Sequence, residues 1–164
     1  MYSKFGSLLG AVWLSLVFCG NANAERNVNE QFFAADIADV YDYVTQPDRW
    51  HEWHPVSLGA ETGTVGTLPN GHKFKERIKL FGQEVEMNYE VVIASPPNEF
   101  KTVFTSPMID GSIHYQLVKQ GNGTVFKRTL DYSLDKYIQQ LKSGMVKMSD
   151  IALNNLKNKV ESHP

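Results

Sequence analysis

Between residues 72 and 134 apolar and polar side chains alternate with period two, interrupted only by short clusters of Gly, Pro, Asn and Asp. Period two puts successive side chains on opposite faces of a strand, and short turn-rich breaks leave no room for crossover helices, so the pattern predicts antiparallel neighbours. The predicted strands are 27–35, 56–62, 72–81, 83–94, 99–106, 111–119 and 124–134. Two short helices interrupt the series after the first strand. One follows Asp36 as N-cap and carries Ile37, Val40, Tyr41 and Val44 at helical spacing; the other lies between Pro47 and Pro55, with Trp50 and Trp53 on one side. From Asp135 to Val160 the period changes: Ile138, Leu141, Met145, Met148, Ala152 and Leu156 recur every three or four residues, which predicts a long amphipathic helix capped by Asp135. The expected architecture is α+β, a curved seven-stranded antiparallel sheet wrapped around one long C-terminal helix.

The alternation also assigns faces. Phe74, Glu76, Ile78 and Leu80 oppose Lys73, Lys75, Arg77 and Lys79, so the basic set is the wet one and Glu76 points inward. The inner set of the next strand is Val85, Met87, Tyr89, Val91 and Ile93, and that of the last is Phe126, Arg128, Leu130, Tyr132 and Leu134. Phe100, Thr102 and Phe104, then Ile113, Tyr115 and Leu117, are the inward choices between them, which turns His114 outward. Glu76 and Arg128 are thus two charges aimed at an apolar interior, where an unpaired charge costs several kcal/mol. Two readings stand: a polar handle for a ligand, or a structural ion pair or register kink that removes both from the problem.

Composition narrows the function classes. Of 164 residues, 42% are apolar, enough for a single packed domain, and 16 Lys and Arg against 18 Asp and Glu leave no surplus of positive charge for nucleic acid. The only cysteine is Cys19. It lies in a stretch with Lys4, the apolar run Leu8–Cys19 and the small-x-small sequence Ala22-Asn23-Ala24, which reads as a cleavable secretory signal over 1–24 followed by a domain over 25–164. The apolar run is too short for a membrane span, and Phe18 before Cys19 disfavours a lipoprotein anchor. Export to the periplasm, with no stable membrane anchor and a cysteine-free mature chain, is the expectation; a monomer is favoured.

Residues Phe33 to Val44, then Pro47-Asp48-Arg49-Trp50 and Glu52-Trp53-His54-Pro55, and the passage from Gly123-Thr124 to Asp131-Tyr132 before a long helix, carry a resemblance. Over nearly all of 27–160 the chain resembles the SRPBCC superfamily of START-like helix-grip domains, most closely its polyketide cyclase/dehydrase-like branch. The resemblance implies a deep, mostly apolar cavity between sheet and long helix, holding a hydrophobic small molecule. The residues expected to line it are Trp53, Phe74, Glu76, Met87, Tyr89, Phe104, Arg128, Tyr132, Met145 and Met148, with Gly144 leaving room opposite.

Sharper chemistries find less support. His51 and His54 flank Glu52-Trp53, whereas a zincin helix needs His-Glu-x-x-His, and Glu-Trp-His-Pro is read as a capping or surface segment. Asp110, Ser112 and His114 mimic a triad list but sit two apart along a strand, too far for a ready Ser-His hydrogen bond. Asn122-Gly123-Thr124 has sequon form but is first a hairpin turn. No cofactor, metal or catalytic residue is assigned. A binding or transport protein for a lipid-like, sterol-like or aromatic molecule is the leading expectation; an acid-base cyclase or dehydratase and a protein-interaction module with a collapsed cavity are the alternatives.

Overall fold

A computed structural model describes residues 24–134 and 142–162. The leader read over 1–24 lies outside the described residues except for Ala24, and so do the cap at Asp135 and the helix positions Ile138 and Leu141. The elements run β1 (Ala24–Phe33), α1 (Ile37–Val44), a 3-10 helix (Pro47–Glu52), β2 (Ser57–Glu61), β3 (Lys73–Leu80), β4 (Gln83–Ser95), β5 (Glu99–Thr105), β6 (Ile109–Gln120), β7 (Gly123–Leu134) and α2 (Lys142–Glu161). All seven strands form one antiparallel sheet in the order β1-β7-β6-β5-β4-β3-β2. Strands β2 to β7 are a simple meander, as the short connections predict, and β1 closes the far side by pairing with β7.

The predicted faces are the observed ones in β3, where buried and exposed positions alternate without a break, and in β7, where buried and half-buried positions alternate from Thr124 onward. In β4 a bulge between Val91 and Ile93 inserts Val92 and reverses the phase. Ala94 therefore packs against the core, and Ile93, expected inside, does not join it. Two hairpin turns also differ from the reading of their glycines. Phe81-Gly82 and Gly121-Asn122 form the two-residue turns, with Phe81 at φ 51° and Gly121 at φ 58°, while Gly123 is the first residue of β7. The basic row on the outside of β3 is matched by β4: Lys73 with Glu90, Lys75 with Glu86 and Arg77 with Glu84.

The C-terminal helix runs parallel to β1 and is tied to it along its length. Lys142 pairs with Glu25, Asn29 donates to Asp150 at 2.9 Å, Lys157 donates to the Phe32 carbonyl at 2.7 Å, and the Ala34 N–H donates to Glu161 at 2.8 Å. From Glu25 to Ala34 the strand, at about 3.3 Å per residue, and from Lys142 to Glu161 the helix, at about 1.5 Å per residue, both cover roughly 30 Å. The two elements are thus matched rods. The fully buried residues of α2 are Ser149, Ala152, Leu153, Leu156 and Val160, and before them only the partly buried Met145 packs against the core.

At the other end, Asp36 caps α1 by accepting the Ala38 N–H at 3.0 Å. Tyr43 donates to Glu52 at 2.6 Å and lies under the Arg49 guanidinium, while Trp50 Nε1 donates to the Val44 carbonyl at 2.9 Å. These bonds fix α1 to the 3-10 helix and so aim the Trp50 and Trp53 segment at the sheet. Removing the cap with Asp36→Ala is expected to cost about 1 kcal/mol, read as a lower urea midpoint with unchanged slope.

Candidate functional site

The first half of α2 has no buried residue because a cavity lies beneath it. It has two adjoining chambers that share His54, Val56, Leu80, Arg128, Leu130 and Met145. The helix-side chamber, about 270 Å³, is bounded by Phe81 in the β3–β4 turn and by Gly144, Met145, Met148 and Ser149 of α2. The sheet-side chamber, about 80 Å³, reaches in to Trp50, Trp53, Glu76, Met87, Tyr89, Phe104 and Tyr115. Because Gly144 has no side chain, the chamber keeps its width there: a Cβ would sit 3.9 Å from the Phe81 ring.

Eight of the ten residues expected at the site line these chambers: Trp53, Glu76, Met87, Tyr89, Phe104, Arg128, Met145 and Met148. Phe74 lines neither. It stacks behind Tyr89 with ring centroids 4.8 Å apart and braces Trp50 at 5.7 Å, so it supports the wall from outside. Tyr132 also lines neither; it lies towards the Asp110–Ser112 end of β6, in a shallow depression with Ala24 and Asp131. Both point inward as period two requires, but alternation does not say which level of a strand lies under the open half of α2. His54 is a larger departure. Expected at the surface or as a cap, it is half-buried and lines both chambers. His114 faces outward as read and meets Glu99 at 2.7 Å. Among the described residues no group of three or more His, Cys, Asp or Glu is placed to hold a metal ion.

The polar groups of the cavity come from six elements. Glu76 (β3) and Arg128 (β7) are 4% and 3% exposed, so neither has been returned to solvent, and they do not form a direct ion pair. Burial pushes the Glu76 carboxyl up to about 7; the Ser57 and Tyr89 hydroxyls and the Arg128 charge pull it back only in part. Ser57 Oγ has no partner in hydrogen-bonding geometry, so its help is a dipole acting across a gap. Enclosure also pushes the His54 imidazole down to about 3, with the Arg128 charge acting in the same direction, so His54 is neutral. Tyr115 is pushed up to about 12, and Tyr89 rises well above its ordinary value, both chiefly by burial. Arg128 Nη1 donates to Ser149 Oγ at 3.3 Å, its Nε has no partner, and Trp53 Nε1 has none either.

The cavity lies between a curved sheet and a terminal helix, and comparison with known proteins places the chain in a family. Residues 26–161 match the family model described as polyketide cyclase / dehydrase and lipid transport. The chain belongs to this family. No curated protein matches it. Among solved structures it is similar to the Zhui aromatase/cyclase from Streptomyces sp. R1128, at 12% identity over 84% of this chain and 94% of that one, with a TM-score of 0.71. A START superfamily protein from Mycobacterium smegmatis is similar at 14% identity over 85% and 99%, TM-score 0.67. Ara h 8.0201 is similar at 11% identity over 85% and 99%, TM-score 0.65. The chain is a START-like domain with the helix-grip fold, as the sequence resemblance implies.

Proposed function

We propose that the protein is an exported carrier that holds a hydrophobic small molecule, lipid-like, sterol-like or aromatic, in the cavity under the first half of α2. The observation that carries this reading is the first half of α2, which has no fully buried residue and stands over a chamber of about 270 Å³ whose apolar lining is Val56, Leu80, Phe81, Leu130, Met145 and Met148. A single water needs only about 10–15 Å³ of such space, so the chamber is large enough for a small organic molecule. An apolar wall with two flexible methionines suits a non-polar occupant. Export rests on the leader pattern over 1–24.

Native mass spectrometry of the protein purified from its own periplasm is expected to show a copurified apolar mass. Met148→Trp, which fills the helix-side chamber, is expected to lower that occupancy about tenfold, a loss of about 1.4 kcal/mol of affinity, with melting unchanged. Wild type that is empty and does not take up apolar probes defeats the carrier reading. A second reading, an acid-base enzyme, is favoured by one observation: a cavity carboxyl held near pH 7 beside a tyrosine and an arginine. Turnover of a bound ligand that is lost in Glu76→Gln, with binding kept, selects it.

A further inference from the structure

The polar end of the cavity holds two buried donors without a hydrogen-bond partner, Arg128 Nε and Trp53 Nε1. Arg128 carries five N–H donors and no acceptor; one reaches Ser149, and Nε is unpartnered on a side chain 3% exposed. Trp53, 1% exposed, adds an indole N–H without a partner. The groups that face this end from each element are His54 after the 3-10 helix, Ser57 on β2, Glu76 on β3, Tyr89 on β4, Tyr115 on β6 and Ser149 on α2. Of these only Glu76 and Arg128 bring charge, because His54 is neutral; Lys79 of β3 also borders the helix-side chamber, from the exposed face of the strand. Buried donors left without acceptors cost about 1–3 kcal/mol each, more for a charged group, and a buried cation without a close counter-ion costs several kcal/mol. What Arg128 Nε and Trp53 Nε1 lack is an anionic oxygen within hydrogen-bonding reach, since Glu76 makes no direct ion pair with Arg128 and burial holds its carboxyl up at about 7.

We propose that the ligand is an apolar monocarboxylic acid whose carboxylate docks on Arg128 and Trp53, with its hydrocarbon part in the helix-side chamber. The inference rests on the carrier reading above and narrows its ligand. A carboxylate accepts hydrogen bonds on two oxygens and suits a guanidinium in a way that a hydroxyl or a carbonyl does not. Its position also brings it near Glu76, and two carboxylates sharing one site cannot both be ionised at low cost. The bound state therefore keeps one proton, on Glu76 or between the two acids, and affinity falls as pH rises above the Glu76 value of about 7, by up to about tenfold per pH unit. An alcohol of the same skeleton shows no such slope.

Calorimetry on the purified protein tests this with two matched pairs: decanoic acid against decan-1-ol, and 2-naphthoic acid against 2-naphthalenemethanol. At pH 6 the acid of at least one pair is expected to bind about tenfold or more tightly than its alcohol, which corresponds to about 1.4 kcal/mol; the pair with the tighter acid tells whether a chain or a ring system is the natural skeleton. Arg128→Met is expected to equalise acid and alcohol, Arg128→Lys to keep part of the preference, and Glu76→Gln to flatten the pH profile of acid binding. Because the wild-type ratio and its pH slope are themselves decisive, a variant that fails to fold leaves the test intact. Acid and alcohol bound equally by wild type overturn the carboxylate inference and leave the carrier reading standing. If neither pair binds, the carrier reading falls and takes this one with it.

Discussion

Gly111→Ala is expected to lower stability by about 3 kcal/mol or more, at the upper end of what overpacking does, and to lower the melting temperature by roughly 10 °C in a domain of this size. Gly111 lies in β6, between Phe104 of β5 and Tyr132 of β7. A Cβ there would collide with the Asp131 carbonyl oxygen and come within 2.9 Å of the Tyr132 Cα and of the Phe104 ring. Two of the three obstacles are backbone, and β7 cannot retreat because β1 pairs with it from Ala24 to Phe33 on its other side. The third is a wall of the sheet-side chamber, so ligand binding is expected to fall together with stability. Gly121→Ala is the control. It sits at φ +58° with nothing within 4 Å of the added atom, and the left-handed backbone alone costs an alanine about 1 kcal/mol. Melting of Gly111→Ala within a degree or two of wild type contradicts the close approach of β6 to β7.

The sheet and its faces were readable because period-two alternation is a direct consequence of strand geometry, and one misassigned face buries a whole row of lysines. Phe74, Glu76, Ile78 and Leu80 show this, since their neighbours are all basic. Ile93 escaped because a bulge adds one residue without any glycine or proline to announce it. The site was legible in part for a related reason. Glu76 and Arg128 stand out as charges in apolar phase, and the structure keeps both buried on one cavity. Phe74 and Tyr132 were misplaced because phase fixes the face of a strand but not the level at which a helix leaves it uncovered. His54 was missed because it follows a short 3-10 helix ended by a proline, where neither periodicity applies; the one available clue was its place beside Trp53, whose ring lies 5.5 Å from it. Tyr115 was placed inward but not assigned to the site; it lines the sheet-side chamber beside Arg128, its partner on β7.

Glu76 and His54 are expected to make stability depend on pH with opposite signs, so that each conceals the other in the wild type. Burial raises the folded-state carboxyl of Glu76 from 4.5 to about 7. Its contribution to stability is therefore complete below pH 4.5 and is lost as pH rises to 7, a change of about 3 kcal/mol. Enclosure lowers His54 from 6.5 to about 3. Its contribution is complete above pH 6.5 and is lost as pH falls towards 3, by roughly 3 kcal/mol once the water that reaches a half-buried ring is allowed for. Between pH 4.5 and 6.5 the folded chain holds one extra proton on Glu76 and the unfolded chain one extra proton on His54, so the two slopes cancel. Glu76→Gln removes one of them, and urea midpoints of that variant are expected to rise from pH 4.5 to 6.5 relative to wild type, by up to about 1.4 kcal/mol per pH unit. His54→Gln removes the other, and its midpoints are expected to fall over the same interval. The arrangement is a carboxyl raised and a histidine lowered by burial against one cavity. Variant curves that run parallel to wild type between pH 4.5 and 6.5 contradict it, whatever the cavity holds.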